Sequence, residues 1–212
     1  EESVDLDLAP LIIACSRKNW LEEVMYLSNF IFEEAKHVEF FRKVLDSMNL
    51  NEDLSKFHGP SYRKIFYEEL PKAMNSLLED SSYEAFANAV ITYNMVVEGI
   101  LAETGYEGYR KISEGLNLNS PGLLKGISFV AQDEARHIAF GTYLLARIIN
   151  DEKEIFDYAL KRFEELLPYA IGIVREILET EYTAKVMDEA KVSIDYFLNY
   201  AMKNFNRRID AI

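Results

Sequence analysis

Two short motifs hold most of the chemistry available to this chain: Glu34-Ala35-Lys36-His37 and Glu134-Ala135-Arg136-His137. A Glu and a His three residues apart stand one above the other on a helix face, so both can reach one cation. Each motif falls inside a stripe that reads as core. One stripe is Leu27, Phe30, Glu34, His37, Phe41 and Leu45; another is Ile127, Val130, Ala131, Glu134, His137, Ile138, Gly141 and Leu145. A third, Ala87, Val90, Ile91, Asn94, Val97, Glu98 and Leu101, carries a lone glutamate in the same setting. A carboxylate facing a core must be neutralised, paired or bound to metal. Lys36 and Arg136 point off these stripes, so a metal is the charge that fits. Oxygen and imidazole donors with open positions favour Fe or Mn.

Composition alone places a Glu three before a given His about 12% of the time, and two such motifs among three His in about 4% of comparable chains. The joint pattern is therefore the signal, rather than either motif. Two metals need a further glutamate each. Glu98 stands 36 residues before Glu134, and Glu1 stands 33 before Glu34, with Glu2 beside it. His58, next to Gly59-Pro60, reads as a structural or solvent-exposed loop residue. Glu68-Glu69 and Glu164-Glu165 read as solvated helix faces.

Positioning these groups takes long helices. The periodicity predicts a first helix from the start to about Ala14, kinked at Pro10, and a second from about Asn19 to Met48. A third opens at Pro60 or Ser61 and ends near Leu78. Ser81 or Ser82 caps a fourth that runs to about Ile112. A fifth follows Asn117 to Pro121 and reaches about Asn150, and two more cover about 152–181 and 188–211. Helices near 30 residues, about 45 Å, imply an all-α antiparallel bundle as a single domain over 1–212. The chain begins Glu-Glu without a Met, so the first helix is expected to extend upstream of Glu1.

Composition narrows the function classes. The 212 residues are 49% apolar and 28% charged, enough for a sizeable core. Nine Gly and five Pro are too few for a β-sandwich or barrel. A formal net charge of −13 opposes a nucleic-acid surface. Cys15 is the lone cysteine, which excludes an internal disulfide and makes a cytoplasmic setting the expectation. No apolar run reads as a membrane span.

The residues resemble the ferritin-like di-metal carboxylate superfamily, and within it the ribonucleotide-reductase-small-subunit-like ligand-binding oxidases. The resemblance covers nearly the whole chain. It rests on Phe32-Glu33-Glu34-Ala35-Lys36-His37, on Tyr93 with Val96-Val97-Glu98-Gly99, and on Asp133-Glu134-Ala135-Arg136-His137. It implies a mixed manganese and iron centre, with di-iron as the alternative. Glu1, Glu34 and His37 would hold Mn; Glu98, Glu134 and His137 would hold Fe; Glu34 and Glu134 would bridge. Asp133 would orient a ligand histidine, His37. The family pattern also has a Tyr five residues before the third metal glutamate and a Val three after the first, matched by Tyr93 and Val4. These two side chains would become an ether cross-link. A long-chain fatty acid is the implied ligand, its chain among side chains of the second, fourth and fifth helices, and a homodimer is the expected assembly.

Two such metals supply the paired electrons that O2 reduction requires. The leading expectation is thus an oxygen-activating oxidase. A radical-generating small subunit of ribonucleotide reductase shares the ligands, but its mobile C-terminal Tyr has no counterpart in Asn204-Phe205-Asn206-Arg207-Arg208-Ile209-Asp210-Ala211-Ile212. An iron-storage or structural bundle leaves Val4 and Tyr93 unexplained.

Overall fold

The computed structural model describes residues 6–50 and 52–212. They form α1 (Ala9–Arg17), α2 (Leu21–Ser47), α3 (60–76), α4 (Tyr83–Gly115), α5 (Pro121–Asp151), α6 (Ile155–Leu178), α7 (Glu181–Glu189) and α8 (Ile194–Ile209). No strand occurs among the described residues, and the architecture is a ferritin-like helical bundle with added helices.

Local chemistry sets most of the helix ends. The side chains of Ser82, Thr180 and Ser193 accept from the backbone N–H three residues on, capping α4, α7 and α8. Pro60 and Pro121 sit in first turns, where a missing N–H costs nothing. Asn19, Asn49, Asn117 and Lys191 take left-handed φ of 57, 57, 52 and 58° just beyond α1, α2, α4 and α7. After each, the next N–H returns to a carbonyl five residues back, as in Leu118 to Ser113, which satisfies an otherwise orphaned acceptor.

α4 is the central element. It packs against α5, α6 and α8, while α2 lies on α1 and α5, and α3 on α6. Every residue over 89–100 is buried. An all-round apolar helix is either a core element or a membrane span. By length and composition α4 does qualify as a span, contrary to the sequence reading, but its apolar window is mostly buried inside the bundle. Two other differences are local. The backbone bends at Leu8, with Pro10 in the first turn of α1. Thr180 caps a separate α7 in a stretch read from sequence mainly as a break.

Candidate metal centre

α2, α4 and α5 direct their buried carboxylates and imidazoles to one point. Glu34, Glu98, Glu134 and His137 each place a donor atom within 4.8 Å of the others. His137 Nδ1 lies 2.9 Å from Glu34 Oε1, 3.7 Å from Glu98 Oε1 and 3.8 Å from Glu134 Oε2. His37 Nδ1 lies 3.6 Å from both Glu34 Oε1 and Glu134 Oε1. Glu1 and Val4 lie outside the described residues.

Both imidazoles turn Nδ1 inward and Nε2 outward. His37 Nε2 meets Asp133 Oδ2 at 3.2 Å, and His137 Nε2 meets Glu33 Oε2 at 3.0 Å. A carboxylate behind Nε2 holds the proton there and leaves the Nδ1 lone pair for a metal. The guanidinium of Arg136 spans the two carboxylates, donating to Glu33 Oε1 (2.7 Å) and Asp133 Oδ1 (2.5 Å). The arrangement is two-fold in pattern: the acidic residue before each Glu-x-x-His serves the histidine of the other motif. Sequence reasoning missed Glu33 and Arg136, although the repeated acidic residue before each motif was the available signal.

The electrostatics fit a cation. Burial pushes the Glu34 carboxyl up, but hydrogen bonds from His137 and His37 outweigh it and hold Glu34 at about 2. Burial pushes His137 down, but the carboxylates of Glu134 and Glu34 raise it to about 9. Three carboxylates thus converge where protons on histidine are the main compensation. Glu34 Oε2 and Glu134 Oε2 are buried with no hydrogen-bond partner. Buried anionic oxygens without donors are costly, and one or two divalent cations would satisfy them.

Glu98 sits on a π-helical stretch, Ile91–Ala102, within α4. In an α-helix, residues five apart point about 140° away from each other. The i to i+5 bonding of a π-helix brings them back toward one face. Tyr93 and Glu98 are five apart, so the π stretch turns both toward one face of α4. Tyr93 is fully buried and meets the Phe30 ring edge-on at 5.8 Å; Phe30 stacks on His137 at 3.5 Å. Asn94 Nδ2 donates to Glu98 Oε2 at 2.9 Å, and Gly141 of α5 makes room for Asn94. Tyr106, also missed from sequence, donates its hydroxyl to Glu134 Oε1 at 3.0 Å. His58 is remote, stacked on Tyr62 and 2.7 Å from the Tyr67 hydroxyl. Glu69 pairs with Arg162 and Lys64 instead of facing open solvent.

A cavity of about 690 Å³ ends on Glu98 and Glu134. Its walls include Val97 and Leu101 of α4, Ile173 and Ile177 of α6, Phe66 of α3 and Phe197 of α8. It runs mainly between α4 and α6, and Phe41 of α2 and Leu123 and Glu134 of α5 also line it, so the helices of the sequence reading form part of its wall.

No family model matches the chain. Solved structures do. A variant of an R2-like ligand-binding oxidase with aerobically reconstituted Mn/Fe cofactor superposes at TM-score 0.94, with 40% identity over 100% of this chain and 78% of its own. A second aerobically reconstituted variant gives 0.95 and 39%, over 100% and 76%. An anaerobically reconstituted variant gives 0.94 and 39%, over 100% and 75%. With that identity along its whole length, and with these carboxylates and imidazoles gathered in one buried cluster, the chain belongs to the R2-like ligand-binding oxidases.

Proposed function

We propose that this chain is an oxygen-activating Mn/Fe oxidase that takes a long-chain fatty acid, or a similar hydrophobic carboxylate, as its ligand. The observation that carries the reading is the cavity: about 690 Å³ with largely apolar walls and two carboxylates of the metal cluster at its end. An acyl chain suits the walls, at about 0.8 kcal/mol per buried methylene. Its carboxylate would face Glu98 and Glu134, and like charges repel unless cations lie between them. Ligand binding should therefore follow metal loading.

Glu34 and His37, with Glu1, are assigned to Mn; Glu98, Glu134 and His137 to Fe; Glu34 and Glu134 would be the residues to bridge them. Related oxidases of known structure carry Mn/Fe, which supports the choice of metals. A bound pair supplies Lewis acidity and two electrons for the reduction of O2. Asp133 and Glu33 hold the imidazole protons away from the metal positions, and the apolar walls exclude water. The buried phenol of Tyr93 is assigned to an ether cross-link with Val4. Forming that O–C bond removes one hydrogen from the phenol and one from the Val4 β-carbon. Those two electrons would balance, with two that a bound metal pair would supply, the four-electron reduction of O2 to water, two further protons coming from solvent.

The chain is expected to act in the cytoplasm as a homodimer. Exposed Leu21, Met25 and Phe32 on the outer face of α2 support an interface between copies, and the lone, buried Cys15 fits a reducing compartment.

Metal analysis and denaturing extraction test the assignment together. Protein loaded with Fe(II) and Mn(II) should hold about two ions per chain, and Glu134→Ala should lose at least one. The loaded form should release a fatty acid on extraction and the metal-free form should not. Unchanged stoichiometry in Glu134→Ala, or a loaded protein holding only buffer anions, would overturn the reading.

A further inference from the structure

A second cavity, about 410 Å³, lies between α4 and α5. Glu103, Glu107, Arg110 and Glu114 form its α4 wall along one helix face, and α5 contributes mainly small and apolar groups such as Ala131. It too reaches Glu134, whose Oε2 is buried without a hydrogen-bond partner. Tyr106 and Glu134 line both cavities and are hydrogen-bonded to each other, so the two cavities meet at this pair.

We infer that this second cavity is the passage by which divalent cations reach the centre, an inference that rests on the dinuclear reading above. The ligand cavity is a poorer route, because its largely apolar walls offer hydroxyls but no carboxylate before Glu98 and Glu134. The α4 face provides carboxylates one or two helical turns apart, with exposure that differs from one to the next. The Glu114 side chain is 53% exposed, Glu103 26%, Glu107 8% and Glu134 3%. Oxygen donors in such a series let Mn(II) or Fe(II) exchange water for carboxylate without a bare intermediate stage.

Arg110 completes the device. Its guanidinium donates to both oxygens of Glu107 (2.7 and 2.9 Å) and to Glu114 (2.6 Å), while its side chain is half exposed. An arriving dication competes for the same carboxylates, and the guanidinium can swing out into solvent. When no cation is present, Arg110 pairs with Glu107 and Glu114, and Arg208 pairs with Glu103. The organic ligand and the metals thus reach Glu134 through different cavities.

The test is the loading rate of the metal-free chain with Mn(II) alone, read as loss of the free Mn(II) EPR signal after rapid mixing. The Glu103→Gln/Glu107→Gln variant should load about tenfold more slowly, with weaker salt dependence and unchanged final stoichiometry. Ala131→Leu, which narrows the passage without altering charge, should also slow loading. Arg110→Gln should speed it. Glu181→Gln, exposed on α7, should leave the rate unchanged. Wild-type rates in both the double variant and Ala131→Leu, at full stoichiometry, would overturn the passage. Equal slowing in Glu181→Gln would overturn it too, since overall charge would then explain the effect. A wild-type chain that takes up no Mn(II) would instead overturn the metal-centre reading itself.

Discussion

Loading the centre should expel a proton from His137. In the metal-free chain burial lowers this imidazole, but Glu134 and Glu34 outweigh burial and raise it to about 9. At pH 7, two units below that value, about 99% of His137 carries both ring protons. A metal requires a bare Nδ1, so the proton must leave. Glu34, held at about 2, is already ionised and releases none. Apparent affinity should therefore rise about tenfold per pH unit from 7 toward 9 and then level off. The total of about 100-fold corresponds to about 2.7 kcal/mol. The same shift acts on the metal-free fold with the opposite pH trend. A raised folded value stabilises fully below the unfolded value near 6.5, and that contribution is lost as pH rises through about 9. Calorimetric titration with Mn(II) in two buffers of different ionisation enthalpy measures the proton directly. Identical heats in both buffers, with pH-independent affinity between 7 and 8.5, would refute the reasoning.

Asp133→Asn removes the carboxylate behind His37 and should weaken metal binding about 10- to 100-fold, measured by competition with a chelator, while the helical content stays unchanged. Gly141→Ala would place its Cβ 2.3 Å from the Asn94 Cβ, so it should lower stability by about 1–3 kcal/mol, read as a drop in Tm. Leu101→Trp fills part of the ligand cavity; extracts should lose the fatty acid while both metals remain bound.

The helices were legible because core stripes repeat at helical spacing and because Ser82, Pro60 and Pro121 are strong start signals. α7 was not, since nine residues are a short window for a periodic pattern and its boundary depends on the Thr180 cap. Residue types and spacing alone singled out Glu34, His37, Glu98, Glu134 and His137, and the structure draws these into one cluster. The π stretch of α4 was hidden, because a segment apolar on all sides has no periodicity to reveal its pitch. Glu33 and Tyr106 were hidden for a different reason. Their partners, His137 and Glu134, lie on another helix, and only the packing of α2 and α4 on α5 shows which side chains meet. The cavity follows from how α6 meets α4, which sequence periodicity does not specify.

The most direct test of the oxidase account is the intact mass of the metal-loaded chain before and after O2. Tyr93 is buried beside Phe30, which stacks on His137 of the cluster. Loaded protein exposed to O2 should weigh two hydrogens less than the anaerobic form. Peptides containing Val4 and Tyr93 should run as one branched species, and Tyr93→Phe should abolish both changes. A chain that binds both metals, consumes O2 and keeps its full mass would contradict the account.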